Sequence, residues 1–312
     1  MKSTVVMAVK AVAVMTLLSM VWAGCGGSSS KALLPAAELY SMGKSEYENK
    51  DYRKAIDHLQ TVVYSYPGES VIDSAQYYLA MSYLGAKNYT LAGIEFNRLA
   101  VNYPSSPFVT SALFMKAVCS FEETPGNYAL DQSELDVALR QFEDFIIDHP
   151  QSEYVADAQK YLNLAYSRLA HKMYASADVY LRINALDASK IYFQYVVDNY
   201  TQTEYAPQAT YKIAEIEFKR KNFDEAKKKF DDFLAVYPDH EWGKDARSYA
   251  VESAFKGGEK ALEKKDYALA RERFELFKQS YPQDRRAGLA DKYLKEIQTH
   301  SGDSTSVDKA GS

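Results

Sequence analysis

Cysteine is nearly absent from this sequence. Two residues, Cys25 and Cys119, stand among 312, which leaves no framework of disulfides. Charge of one sign is also lacking: 37 Lys and Arg face 42 Asp and Glu, a net −5, where a nucleic-acid binder presents a basic face. The five histidines (His58, His149, His171, His240, His300) pair with no His, Cys or Glu at metal-ligand spacing, so neither a metal nor another cofactor is expected. No Gly-rich phosphate loop, Gly-x-Ser-x-Gly elbow or Cys–His arrangement occurs, and the chain does not read as an enzyme. Acidic groups such as Asp144 and Asp231-Asp232 belong to solvated helix faces, as does the interleaved "KRKNFDEAKKKFDD" at 219–232. Nor is there a long hydrophobic run. The uncharged "AVAVMTLLSMVWAG" covers only 11–24, short of the roughly 20 residues of a membrane-spanning helix.

That short run has another use. Lys2 and Lys10 precede it, and Ala23 and Gly24 stand directly before Cys25, so 1–24 resembles a bacterial lipoprotein signal. The resemblance implies that Cys25 is acylated and becomes the mature N-terminus; Trp22 departs from the usual Leu three residues earlier. Residues 25–35, "CGGSSSKALLP", then read as the acylated Cys and a flexible tether. By resemblance to enterobacterial lipoproteins, in which Asp after the Cys favours inner-membrane retention, Gly26 implies the periplasmic face of the outer membrane. With Cys25 acylated, Cys119 has no disulfide partner and reads as a small core residue on an apolar helix.

The body of the chain repeats. The stretches "VVYSYPGES", "VNYPSSP", "IDHPQSE", "VDNYTQT", "AVYPDHE" and "KQSYPQD" end six segments alike. Twelve residues before Pro67, Pro104, Pro150, Pro238 and Pro282 stands an alanine (Ala55, Ala92, Ala138, Ala226, Ala270), and Ser189 stands twelve before Thr201. Around each small residue, positions −3, +4 and +7 are aromatic or aliphatic, as in Tyr52, Leu59 and Val62. That spacing makes one apolar stripe on a helix, and the proline stops it. Twelve residues further upstream stand Gly43, Ala80, Ala177, Ala214 and Gly258, each inside its own helical run. The unit is helix–turn–helix.

This pattern resembles the tetratricopeptide repeat from 36 to 283. The fold expected is an all-α solenoid of about six helix pairs over 36–300, with 285–300 as a capping helix and 301–312 as a disordered tail. Proline-position residues are separated by 37, 46, 51, 37 and 44 residues. The two largest spacings hold a loop at 123–134, expected to displace its unit's first small residue from register, and a long helix from about Tyr154 to Ile183. Such arrays bind peptides and domains in a concave groove lined by first helices. Tyrosine numbers 26, ten of them between 40 and 103, and Tyr40, Tyr47, Tyr77 and Tyr83 are the groove candidates. Charge divides as well: −8 over 26–205 (14 basic, 22 acidic) against +2 over 206–299 (20 basic, 18 acidic), so the halves can face different partners.

"DQSELDVALRQFEDFIIDHPQSEYVADAQKYL" at 131–162 and "SRLAHKMYASADVYLRINALDASKIYFQYVVDNYTQTEYA" at 167–206 resemble the third and fourth repeats of the BamD (ComL/YfiO) family. Asn184 stands where that family usually has Gly, Thr201 replaces Pro, and a sixth repeat at 244–283 exceeds the five of better-known members. The resemblance implies a lipid-anchored component of the outer-membrane β-barrel assembly machinery. Its partners would be the POTRA domains of an Omp85 (BamA-type) barrel, other complex components, and the C-terminal signals of unfolded barrel proteins. The YbgF family, associated with Tol–Pal, shares the Tyr-Pro-x-Ser punctuation but begins with a coiled coil, and no heptad run precedes residue 36. Pilotin-like lipoproteins are a further alternative.

Overall fold

The computed structural model describes residues 34–307, and every regular element among them is an α-helix. Six pairs follow one another: α1 (Ala36–Glu48) with α2 (Tyr52–Ser65), α3 (Ile72–Gly85) with α4 (Tyr89–Asn102), α5 (Val109–Glu123) with α6 (Ser133–Asp148), α7 (Val155–Arg182) with α8 (Leu186–Asn199), α9 (Tyr205–Lys219) with α10 (Phe223–Val236), and α11 (Gly243–Glu263) with α12 (Tyr267–Ser280). A last helix, α13 (Ala287–Val307), lies against α12. The fold is an all-α tetratricopeptide solenoid. The final helix runs past residue 300, into the segment expected as a tail.

The stripe residues form the core. Ala55, Leu59 and Val62 on α2, and Ala226, Phe230 and Phe233 on α10, are fully buried, as are their equivalents in the other second helices almost without exception. Each such Leu or Phe contributes about 1.5–3 kcal/mol by leaving water. Small residues on the first helices let the pairs close. A Cβ on Gly43 would lie 2.6 Å from Leu59 Cγ, and one on Gly258 would lie 2.7 Å from Phe274 Cε1. Where Ser189 replaces alanine, its hydroxyl donates to the Ala177 carbonyl at 2.8 Å, so the buried oxygen is satisfied.

The punctuation builds one turn six times. The residue before the proline position donates its N–H four residues back, as in Tyr103 to Leu99 at 2.9 Å and Tyr237 to Phe233 at 2.8 Å. Tyr200 keeps this bond to Val196 at 3.0 Å although Thr201 replaces the proline. Two residues after that position, Ser106, Ser152, His240 and Asp284 each accept a backbone N–H onto the side chain at 2.9–3.3 Å, starting the next unit. Turns inside the units use a left-handed residue: Lys50, Lys87, Asn184, Lys221 and Lys265 have φ between 59° and 62°. Asn184 is therefore at a position whose geometry asparagine tolerates.

The two departures from the repeat pack against each other. Loop 124–132 is drawn together by buried Gln132, whose amide donates to the Pro125 and Asn127 carbonyls at 3.1 and 3.2 Å. It lays Tyr128 on His171 of the long α7, with ring centroids 4.6 Å apart, and His171 stacks on Tyr205 of the following unit. The insertion stays within the turn and, as expected, shifts the small residue of α5 out of the twelve-residue register: Ala117 stands 21 residues before Ala138, yet is fully buried like its counterparts. Cys119 is buried on α5, and burial pushes its thiol up to about 12, with Glu123 and Glu122 adding to the shift. It is a core residue.

Candidate peptide-binding face

First helices of neighbouring units lie side by side, α1 with α3, α5 with α7 and α7 with α9, so they make the inner face of the array. Four residue columns decorate that face. Three residues before each small residue stand Tyr40, Tyr77, Phe114, Tyr174, Tyr211 and Phe255. Four after it stand Tyr47, Leu84, Phe121, Leu181, Phe218 and Leu262. Counted from the proline position, the fourth residue is Val71, Phe108, Tyr154, Tyr205, Trp242 or Arg286, and the eleventh is Tyr78, Met115, Tyr161, Lys212, Tyr249 or Tyr293. An alanine eight residues after each proline position (Ala75, Ala112, Ala158, Ala209, Ala246, Ala290) is wholly buried and sets the register of all four columns.

In units 1 and 2 these columns gather half-exposed tyrosines. Tyr78 lies 6.2 Å from Tyr40 and 5.5 Å from Tyr47, the latter edge to face. Lys44 sits 5.3 Å from the Tyr78 ring centre, a cation–π distance, and 4.0 Å from Glu48. Its ammonium is held above the ordinary lysine value, chiefly by the Tyr78 hydroxyl and then by that of Tyr40. Burial raises the Tyr40 and Tyr47 hydroxyls, so both rings remain neutral hydrogen-bond donors.

Of the four tyrosines singled out from sequence, the structure brings Tyr40 and Tyr47 together around Tyr78. Tyr77 is at the edge of the same cluster, but its ring face is taken by Phe108, stacked at 4.6 Å and 17°, and its hydroxyl bonds Ser111 at 2.9 Å. Tyr83 is elsewhere. It is 7% exposed and its hydroxyl accepts from Gln60 of α2 at 2.6 Å, because three residues beyond Ala80 the helix has turned toward the second helices. Tyr78 and Lys44 complete the face and were not singled out; the column eleven residues after each proline position, tyrosine in four of six units, carried the signal for the first. Cys25 lies outside the described residues. Farther along, the face changes character: Asp178 pairs with Arg182 at 3.2 Å and Glu215 with Lys212 at 2.7 Å, where Lys44 stands in unit 1.

Residues 33–210 match a family described as YfiO, outer membrane lipoprotein. The chain belongs to the YfiO family of outer membrane lipoproteins. Residues 208–240 of this YfiO-family chain also match a tetratricopeptide repeat family. Among its relatives is the outer membrane protein assembly factor BamD of Rickettsia prowazekii, 27% identical over 235 residues, which are 75% of this chain and 93% of that one. The protein of the same name from Caulobacter vibrioides is 25% identical over 229 residues, 72% of this chain and 75% of that one. Among solved structures the chain is similar to the TPR2AB-domain:pHSP90 complex of yeast Sti1, at 12% identity and a TM-score of 0.38, covering 84% of this chain and 98% of that one. No helix among the described residues is long and apolar enough to cross a membrane.

Proposed function

We propose that this YfiO-family protein is a lipid-anchored periplasmic scaffold of outer-membrane β-barrel assembly. Cys25 carries the acyl chains, and two or three chains on one residue hold a protein to a bilayer stably. The inner face of units 1 and 2 receives the C-terminal signals of unfolded barrel proteins, and the charged C-terminal units dock onto the POTRA domains of an Omp85-type barrel. The observation that carries this reading is the YfiO match over 33–210 in a chain whose Cys25 follows a lipoprotein-like signal. The half-exposed tyrosines of units 1 and 2 support the client side, because amphipathic rings suit extended, aromatic-rich segments.

Two experiments test it. Affinity purification from detergent-solubilised envelopes is expected to recover an Omp85-family barrel; recovery of Tol–Pal components or a secretin in its place overturns the reading. Cys25→Ser is expected to release a folded, soluble protein into the periplasm. If that variant stays with the membrane, acylation of Cys25 is not the anchor.

A further inference from the structure

The six turns that follow the second helices share a backbone but not a charge. Each can be compared over eight residues, from three before the proline position to four after it. In unit 1 (64–71) this stretch holds one charged side chain, Glu69, and in unit 2 (101–108) it holds none. Units 3 to 6 hold two or three Asp, Glu or Arg each. The first residue of the stretch changes in step: Tyr64, Val101 and Ile147 give way to Asp198, Ala235 and Gln279. Tyr64 and Val101 are 54% and 68% exposed, and Pro67, Pro104 and Pro107 are exposed beside them. Tyr64 donates its hydroxyl to Glu95 at 2.8 Å, so its polar tip is satisfied while its ring meets solvent. Ile147 is exposed as well, but Asp148 and Glu153 flank it.

The chain enters the fold at this same edge. Tyr66, in the unit 1 turn, donates its hydroxyl to the Leu34 carbonyl at 2.8 Å. Leu34 is itself 39% exposed. Cys25 stands nine residues earlier, and nine residues reach at most about 30 Å. Acyl chains on Cys25 therefore keep the turn of unit 1 close to a bilayer, with the turn of unit 2 next to it.

We propose that the turn edge of units 1 and 2 rests on the lipid surface, with Tyr64, Pro67, Val101 and Pro104 among the headgroups. Tyrosine suits that depth because an apolar ring and a polar tip meet both sides of the interface. An edge with one charge in sixteen residues also gives up little ion hydration as it approaches lipid. The occupant is the bilayer because the tether holds this edge, and not the charged turns of units 5 and 6, within reach of the acyl chains. This inference rests on acylation of Cys25 and adds what acylation leaves open, namely which edge of the solenoid faces the membrane.

The test places a nitrobenzoxadiazole label, sensitive to polarity, on Val101→Cys in the full acylated chain. The protein is reconstituted into vesicles of phosphatidylethanolamine and phosphatidylglycerol, with and without doxyl-labelled lipid. Cys25 is acylated and Cys119 buried, so neither competes for the label. Val236→Cys, at a residue 64% exposed beside the charged turn of unit 5, serves as the comparison. The label at 101 is expected to shift to the blue and to be quenched by the doxyl lipid, and the label at 236 to do neither. Should Val101→Cys fail to fold, Ser105→Cys in the exposed turn replaces it with the same expectation. Protein that floats with the vesicles but is unquenched at 101, or is quenched equally at 101 and 236, overturns the lipid-facing edge and leaves the anchor standing. A blue shift at 101 without quenching assigns the edge to a second copy of the chain and overturns it too. Protein that does not float overturns acylation of Cys25, and this edge with it.

Discussion

The junction between units 1 and 2 and that between units 5 and 6 are built from the same columns and differ in how far one ring, Tyr40 or Tyr211, is covered. Tyr40, Tyr47 and Tyr78 in the first correspond to Tyr211, Phe218 and Tyr249 in the second. In the later junction Trp242 covers Tyr211, which is 6% exposed, and Phe230 lies flat against Tyr249, which stays half-exposed, as does Phe218. In the first, Val71 and Leu59 stand in the place of those two rings, and Tyr40, Tyr47 and Tyr78 pack on one another and stay half-exposed. The difference between the two faces therefore rests on Tyr211, which Trp242 covers at 5.0 Å. A count of tyrosines misses this, since Tyr77 and Tyr83 swell the count yet serve packing.

The largest effect should separate the two junctions outright. Tyr211→Ala is expected to cost about 3–5 kcal/mol of stability, as for a large buried side chain, and Tyr40→Ala about 1 kcal/mol, measured by urea unfolding. Equal losses would erase the distinction between the buried and the half-exposed ring. A smaller contrast concerns the glycines. Gly258→Ala pushes a methyl into Phe274, which Tyr293 stacks on at 5.1 Å and Phe255 flanks at 5.6 Å, so about 1–3 kcal/mol is expected. Gly43→Ala meets Leu59 inside unit 1, a side chain more flexible than a ring wedged between two others, and should lower the melting temperature less; the reverse order would break the comparison. The smallest effect should be the same at both ends. Lys50 and Lys221 share a left-handed backbone at φ 62° and 59°, so Lys50→Gly and Lys221→Gly should each stabilise by up to about 1 kcal/mol. A gain at only one of them would show that the turns differ despite their common geometry.

Much of the framework was legible in the chain. The offset of twelve residues between Ala55 and Pro67, repeated five more times with Thr201 substituting once, was enough to predict the helix pairs, their stripes and their turns. Helical periodicity is local, so a single sequence displays it. The face was legible only in part. Tyr40 and Tyr47 were found because they stand on first helices near small residues. Tyr83 misled because its neighbours come from α2, across a turn, and Tyr78 escaped because its column is counted from the preceding proline position. The inserted loop and the long α7 appeared as two irregularities; contact between Tyr128 and His171 makes them one.

By itself the sequence determined the repeat, its boundaries and the identity of each column, because these depend on residue type at fixed spacing along one helix. It also placed Cys25 behind a lipoprotein-like signal. Which aromatics stay exposed was decided only when the units stacked. Exposure of a ring depends on what the next unit lays beside it: for Tyr40 that is Tyr78, 6.2 Å away, and for Tyr211 it is Trp242, at 5.0 Å.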